Sequence, residues 1–244
     1  MSDPILEIGA QGLETTDQKM QSLMNRMVNT DTPGFKSSDI AIRSFPEELQ
    51  NAQNRLQAQK PKVDGSFYDF TPGSFSHTGK NTDFAIGVPG FFVVLCPWGE
   101  GYTRDGRFYV NRDGELVSTV GNYPLLGKNG NISIPPGSVI TVSDDGQIYT
   151  ETQVIDKIRI VDFENKQALQ SINGVVFRDS LGNLSMQEIE NPHIVQGFVE
   201  ASNSDIVNQM KDLVIVSKQY EFDTKIISNR ENAMSQAIGL AKTQ

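Results

Sequence analysis

Few residues in this chain are of types that do chemistry, and their spacing is poor for it. Asp144, Asp145 and Glu151 could in principle supply the acid and base of a glycan hydrolase. Two adjacent aspartates directly before Gly146, however, are the composition of a tight turn. His77 and His193 lie far apart, with no HxxxH, HExxH or cysteine partner nearby, so neither is expected to ligate a metal or act as a base. Cys96 is the single cysteine, which excludes an internal disulfide and a thiolate cluster within one chain. Among strand-forming neighbours it reads as a small buried hydrophobe. No catalytic, cofactor-binding or metal-ligating residue is expected, and the chain is not expected to be an enzyme.

If not chemistry, the residues must build something. With 244 residues the chain is long enough for one or two domains with a substantial core. Its formal net charge of -9, from 21 basic and 30 acidic residues, argues against a nucleic-acid surface, which needs clustered Lys and Arg. No apolar run approaches the roughly 18 to 20 residues of a membrane span. The first residues, Met1-Ser2-Asp3-Pro4, lack the basic start and apolar stretch of a secretory signal. Read alone, that start suggests a cytosolic protein.

The strongest patterns sit at the two ends. Leu6, Leu13, Met20 and Met27 recur every seven residues, with Leu23 beside them, which predicts an apolar seam along a helix over about residues 3–29. Ile206, Leu213, Tyr220, Ile227 and Met234 repeat the spacing near the other end, with Met210 and Ile238 four residues beyond the first and last. Ser202, Asn203, Ser204 and Asp205 are all good helix starters, so a helix of roughly 35 residues is expected from there to about residue 240. At 1.5 Å per residue it would be about 50 Å long, more than a compact β domain can cover. Thr32-Pro33-Gly34 stops the first helix, with Phe35 as an anchor beyond it.

Between the ends, short aromatic and β-branched clusters alternate with turn residues, which predicts an all-β domain. Two Asp-Gly pairs place hairpins. Residues 102–104 and 108–110 would flank Asp105-Gly106, and residues 108–110 and 115–117 would flank Asp113-Gly114. Residues 155–161 alternate as a strand with one wet face. Arg104 and Asp105 could form a local ion pair. Residues 46–60 are polar and could be a short surface helix or a flexible arm.

These residues resemble the bacterial flagellar rod and hook proteins of the axial filament, over nearly the whole chain. Asn29 to Lys36, with Thr32, Pro33, Gly34 and Phe35, is similar to that family's NxxTPGFK signature. Thr78-Gly79, Asp83-Phe84-Ala85-Ile86, Gly90-Phe91-Phe92 and Tyr102-Thr103-Arg104-Asp105-Gly106 follow its central motifs in order. Gly197 to Asn203, including Ser202 and Asn203, and Tyr220-Glu221 resemble its last segments. Ser204 departs, standing where the family usually has Val. Around Val161-Asp162-Phe163 and Ala168-Leu169 the likeness is to the proximal-rod type more than to the distal-rod type.

The resemblance implies a structural subunit of the flagellar basal-body rod. Such a subunit would be exported unfolded, without a cleavable signal peptide, through the flagellar type III apparatus, and polymerise helically in the periplasm to transmit torque. Its partners would be copies of itself, other rod and hook subunits and the export apparatus, with no nucleic acid, no membrane insertion and no cofactor. The expected fold is α+β: a central mainly-β domain of hairpins and meander, with long N- and C-terminal helices that form a coiled-coil-like pair on assembly. The expected segments are 1–36 (assembly helix and turn), 37–62 (polar arm), 63–192 (all-β) and 193–244 (assembly helix). The rival is a soluble β-domain binding module whose helical region recruits a partner.

Overall fold

The structure, a computed structural model, describes residues 4–43, 62–151, 153–180 and 182–241. They are mostly β, with one long helix toward each end, and form two compact units. One draws on Met1–Val28, Ser38–Tyr68 and Asp205–Gln244; the other comprises Asn29–Ser37 and Asp69–Ser204. The units therefore do not follow contiguous stretches of chain. The reason is pairing, since Ser38–Arg43 forms an antiparallel ladder with Lys62–Tyr68, with a bulge between Ala41 and Ile42. Residues 46–60 lie outside the described residues.

In the helical unit, helix α1 spans Pro4–Val28 and helix α2 spans Ile206–Ala241. Asp205 caps α2, its Oδ1 accepting from the Val207 and Asn208 amides at 2.9 and 3.3 Å. Thr16 Oγ1 donates to Asp223 Oδ2 at 3.3 Å, and a methyl added at Gly9 would lie 3.1 Å from Ile227 Cγ1. Early α1 thus meets late α2, and the helices pack antiparallel. The strand Ser38–Arg43 lies along α1, where Ser22 Oγ donates to the Ser38 carbonyl at 3.1 Å. No helix among the described residues is long and apolar enough to cross a membrane.

The β unit is organised on a six-stranded antiparallel sheet, in the order Gln170–Ser171, Val176–Arg178, Gly99–Thr103, Phe91–Cys96, Ile160–Phe163, Met186–Glu188. Its middle is covered on both faces, which is why Phe91-Phe92-Val93-Val94 can be apolar without alternation. Phe92, Val94 and Cys96 join a core with Phe84, Leu116, Ile148 and Ile160. On the other face Phe91 meets Phe70, Phe163 and Phe177 at ring distances of 5.7, 6.2 and 6.1 Å. Cys96 is buried and free, as its strand context predicts.

The two expected hairpins fare differently. Phe108–Val110 does pair with Leu116–Ser118, and Gly114 at the turn has φ +82°, a left-handed value that a β-branched residue resists. Residues 102–104 do not pair with 108–110. The strand Gly99–Thr103 turns back through Pro97-Trp98 onto Phe91–Cys96, while Asp105-Gly106 carries the chain to a different sheet. There the Gly106 carbonyl accepts from the Phe84 amide at 2.9 Å, and a Cβ on Gly106 would fall 1.6 Å from the Phe84 carbonyl oxygen. Gly106 is needed for close backbone approach, not for positive φ. The expected strand over 155–161 is also interrupted. Val154–Lys157 and Ile160–Phe163 belong to separate sheets, so the apolar–charged alternation belongs to two elements. The β region runs past residue 192, because Ile194–Gln196 pairs with Phe84–Ile86 and Phe198–Glu200 pairs with Phe75–His77.

Gly106→Ala is expected to cost about 3 kcal/mol of stability through overlap with the Phe84 backbone, and Gly114→Val about 2 kcal/mol through backbone strain. Urea unfolding followed by near-UV dichroism measures both, and a wild-type midpoint for Gly106→Ala would contradict the close approach. Burial pushes the Cys96 thiol from its ordinary 9.0 up to about 11. Burial, with Glu100 adding to it, pushes the Tyr102 phenol from 10.0 up to about 12. The unfolded chain releases these protons first, so their contribution is complete below the ordinary values and is lost as pH rises toward the raised ones. Cys96→Ala should therefore lose less stability than wild type between pH 9.0 and about 11, which urea midpoints across that window would read.

Candidate functional site

The groups most suited to catalysis are engaged in structural roles. Gly146 has φ +87°, and its amide donates to the Ser143 carbonyl at 2.9 Å, so Asp144-Asp145-Gly146 is a turn. Asp145 accepts from Ser143 Oγ and pairs with Lys157 at 3.4 Å. The Ser143 hydrogen bond, foremost among these contacts, holds its carboxyl below the usual range. Asp144 faces the exposed His193 ring at 2.8 Å. Among the described residues no group of three or more His, Cys, Asp or Glu is arranged to hold a metal.

The residues of the two terminal seams differ in exposure. On α1, Leu23 is buried, and Leu13, Met20 and Met27 are half-buried. On α2, Leu213 and Ile227 are half-buried, while Ile206, Met210, Tyr220 and Met234 are exposed. The side chains of Leu6 and Ile238 lie outside the described residues. The line of α2 that accompanies Leu213 and Ile227 toward the interior is Gln209, Val216 and Asp223, and not Met210. Two of those three are polar, so an apolar-only pattern selects the neighbouring line instead. Asp223 is held there by Thr16.

On its opposite side α2 carries a second apolar surface open to solvent. Val207 is 72% exposed, Val214 61%, Ile215 59% and Phe222 60%, with Met210 and Ile226 among them. At 100° per residue these side chains face away from Val216 and Ile227. The sequence carried this signal as apolar residues of α2 that fall outside the seven-residue line, such as Val207, Val214, Ile215 and Phe222, but a single repeat conceals it.

The motif residues converge in the β unit on a buried carboxylate. Gly34 has φ +69°, its amide donates to the Glu200 carbonyl at 2.8 Å, and an added Cβ would sit 2.2 Å from the Asp105 amide nitrogen. Only glycine fits both conditions. Phe35 is buried against Gly174. Lys36, 1% exposed, donates from Nζ to Glu200 Oε1 at 2.6 Å and to the Thr71 carbonyl at 2.7 Å. Arg104 approaches Glu200 Oε2 through Nε at 2.7 Å and through its NH2 group at 2.6 Å. It also donates to the Val88 and Gly90 carbonyls at 2.8 and 2.7 Å. The Gly73 amide, at 3.0 Å, completes the Glu200 shell. Desolvation lowers the Lys36 pKa, Glu200 opposes that shift, and Arg104 adds to it.

Arg104 therefore does not pair with Asp105. Asp105 is fully buried and instead accepts from Arg107, with its closest side-chain contact at 2.8 Å. Asn203 straps two loops, accepting from the Ser37 amide at 2.9 Å and donating to the Asp69 carbonyl at 2.8 Å. Ser202 Oγ accepts from the Ser204 amide. Sequence reasoning about sites missed Lys36 and Glu200. Their signal was a charge beside a core hydrophobe, Phe35 in one case and Val199 in the other, within the motif segments.

The chain also matches known proteins over most of its length. Residues 85–150 match the model of the flagellar hook protein FlgE/F/G D1 domain, and residues 195–240 match the flagellar basal body rod FlgEFG protein C-terminal model. The chain is 29% identical to the flagellar basal-body rod protein FlgF of Caulobacter vibrioides, covering 97% of each chain. It is 30% identical to the FlgF of Buchnera aphidicola over 86% of each. It is also 26% identical to the flagellar basal-body rod protein FlgG of that organism, over 95% of this chain and 97% of the relative. These relatives are structural rod proteins, not enzymes. The chain belongs to the flagellar basal-body rod protein family and is a structural subunit of the flagellar basal body.

Proposed function

We propose that this subunit polymerises helically with copies of itself and with other rod and hook subunits, its terminal helices forming the shared contact. The observation that carries the reading is the set of exposed apolar side chains on α2, Val207, Val214, Ile215 and Phe222, because large apolar groups left open to solvent mark an association site. α2 has 36 residues and α1 has 25, so α2 outruns its partner by about 16 Å. Burial of that surface at about 25 cal/mol per Å² would drive assembly. A helical polymer needs heterologous contacts, one patch meeting a different patch on the next subunit. Helices interlocked in this way along a rod would transmit torque. The half-buried residues Leu13, Met20, Leu213 and Ile227 serve the pair within a subunit, whereas Ile206, Met210, Tyr220 and Met234 are available between subunits.

The relatives named FlgF, at 29 and 30% identity against 26% for FlgG, favour the proximal rod. Export through the flagellar type III apparatus, without a cleavable signal, would deliver the chain to the periplasm. A thread without disulfides suits that route.

Phe222→Asp should abolish concentration-dependent association in sedimentation velocity while leaving helix content unchanged, since it charges only the outer face. Ile227→Asp should instead lower helix content by breaking the α1–α2 contact. Wild-type association by Phe222→Asp would remove α2's outer face from the assembly surface. A closed complex of fixed size at all concentrations would favour the binding-module reading.

A further inference from the structure

Among the described residues Glu200 is the one carboxylate that touches both Lys36 and Arg104, and all three side chains are at least nine-tenths buried. Buried ion pairs of this sort add little net stability compared with well-packed apolar groups, but removing one partner leaves an uncompensated charge at high cost. The cluster as it stands carries one net positive charge. Without the Glu200 carboxylate the same cavity would hold two cations.

The position of Glu200 in the chain gives that asymmetry a consequence. Lys36 and Arg104 belong to the first half of the chain, and their shared counterion comes at residue 200 of 244. The segment around Glu200 also supplies strand partners that earlier residues lack. Phe84–Ile86 pairs with Ile194–Gln196, and Phe75–His77 pairs with Phe198–Glu200, each as a two-stranded sheet among the described residues. Phe84 and Ile86 are core residues. Closing the β unit before Glu200 is in place would bury two unpaired cations and leave these strand edges open.

We propose that the Lys36–Glu200–Arg104 cluster is a charge-gated closure device, which holds the β unit open until the C-terminal segment docks and makes that docking the committed step of folding. The device acts on timing. A chain made or delivered from its N-terminus stays uncommitted until nearly all of it is present, whatever the route of delivery.

The test is refolding of the full chain by stopped-flow, with near-UV dichroism as the equilibrium check. Glu200→Gln removes the charge at nearly constant shape and should slow refolding about 100-fold with little change in the unfolding rate, because the lost interaction belongs to the transition state. Lys36→Met/Glu200→Gln restores the original net charge and should bring refolding back to within about threefold of wild type. If Glu200→Gln does not fold, recovery of folding by the double variant carries the same support. Glu200→Asp, which keeps the charge, should slow refolding less than Glu200→Gln. The proposal is overturned if the loss in Glu200→Gln appears as faster unfolding with unchanged refolding, or if the double variant folds no better than the single.

Discussion

The β unit depends on a carboxylate that water does not reach. Glu200 accepts from Lys36, Arg104 and the Gly73 amide in a site where an unpaired charge would be prohibitive. Its neighbours are fixed by the same requirement. Arg104 reaches the Val88 and Gly90 carbonyls, Lys36 reaches the Thr71 carbonyl, and the Gly34 amide reaches the Glu200 carbonyl. Five sequence-distant segments are thereby held in one geometry. Hydrogen bonds to charged groups contribute more than neutral ones, and in a low-dielectric site they tolerate little displacement.

The helical unit is held differently. Its contact is a packed seam that includes a polar clasp, Thr16 on Asp223, and close approach permitted at Gly9. Such a pair is modest in strength, since much of the apolar surface of α2 points the other way. A structural subunit gains from this division. The β unit is specified internally by charge and aromatic packing, while the helical unit leaves apolar side chains of α2 exposed.

Local chemistry made several features legible. The helix at each end, the Asp205 cap, the stop at Thr32-Pro33-Gly34 and the hairpin at Asp113-Gly114 all rest on interactions within a few residues, which sequence spacing records directly. Other readings failed for a shared reason. Asp105-Gly106 has the composition of a tight turn, but its glycine answers to Phe84, more than twenty residues away. The inward line of α2 contains Gln209 and Asp223, the latter held by Thr16 of α1, a tertiary partner that periodicity cannot register. Ser38–Arg43 was absorbed into a polar arm because its partner strand begins only at Lys62.

By itself, the sequence determined the class of fold, the two helices, the family and the unsuitability of the chain for catalysis. Each of these follows from periodicity, turn chemistry, composition or ordered motifs, all of them properties of neighbouring residues. Only the tertiary structure decided what the motifs are for. Lys36, Arg104 and Glu200 are three unremarkable charges in a chain of 51 charged residues counted from its 21 basic and 30 acidic side chains. They become one site because the β topology brings Lys36 and Arg104 each within 2.7 Å of Glu200 and removes the water that would otherwise screen them.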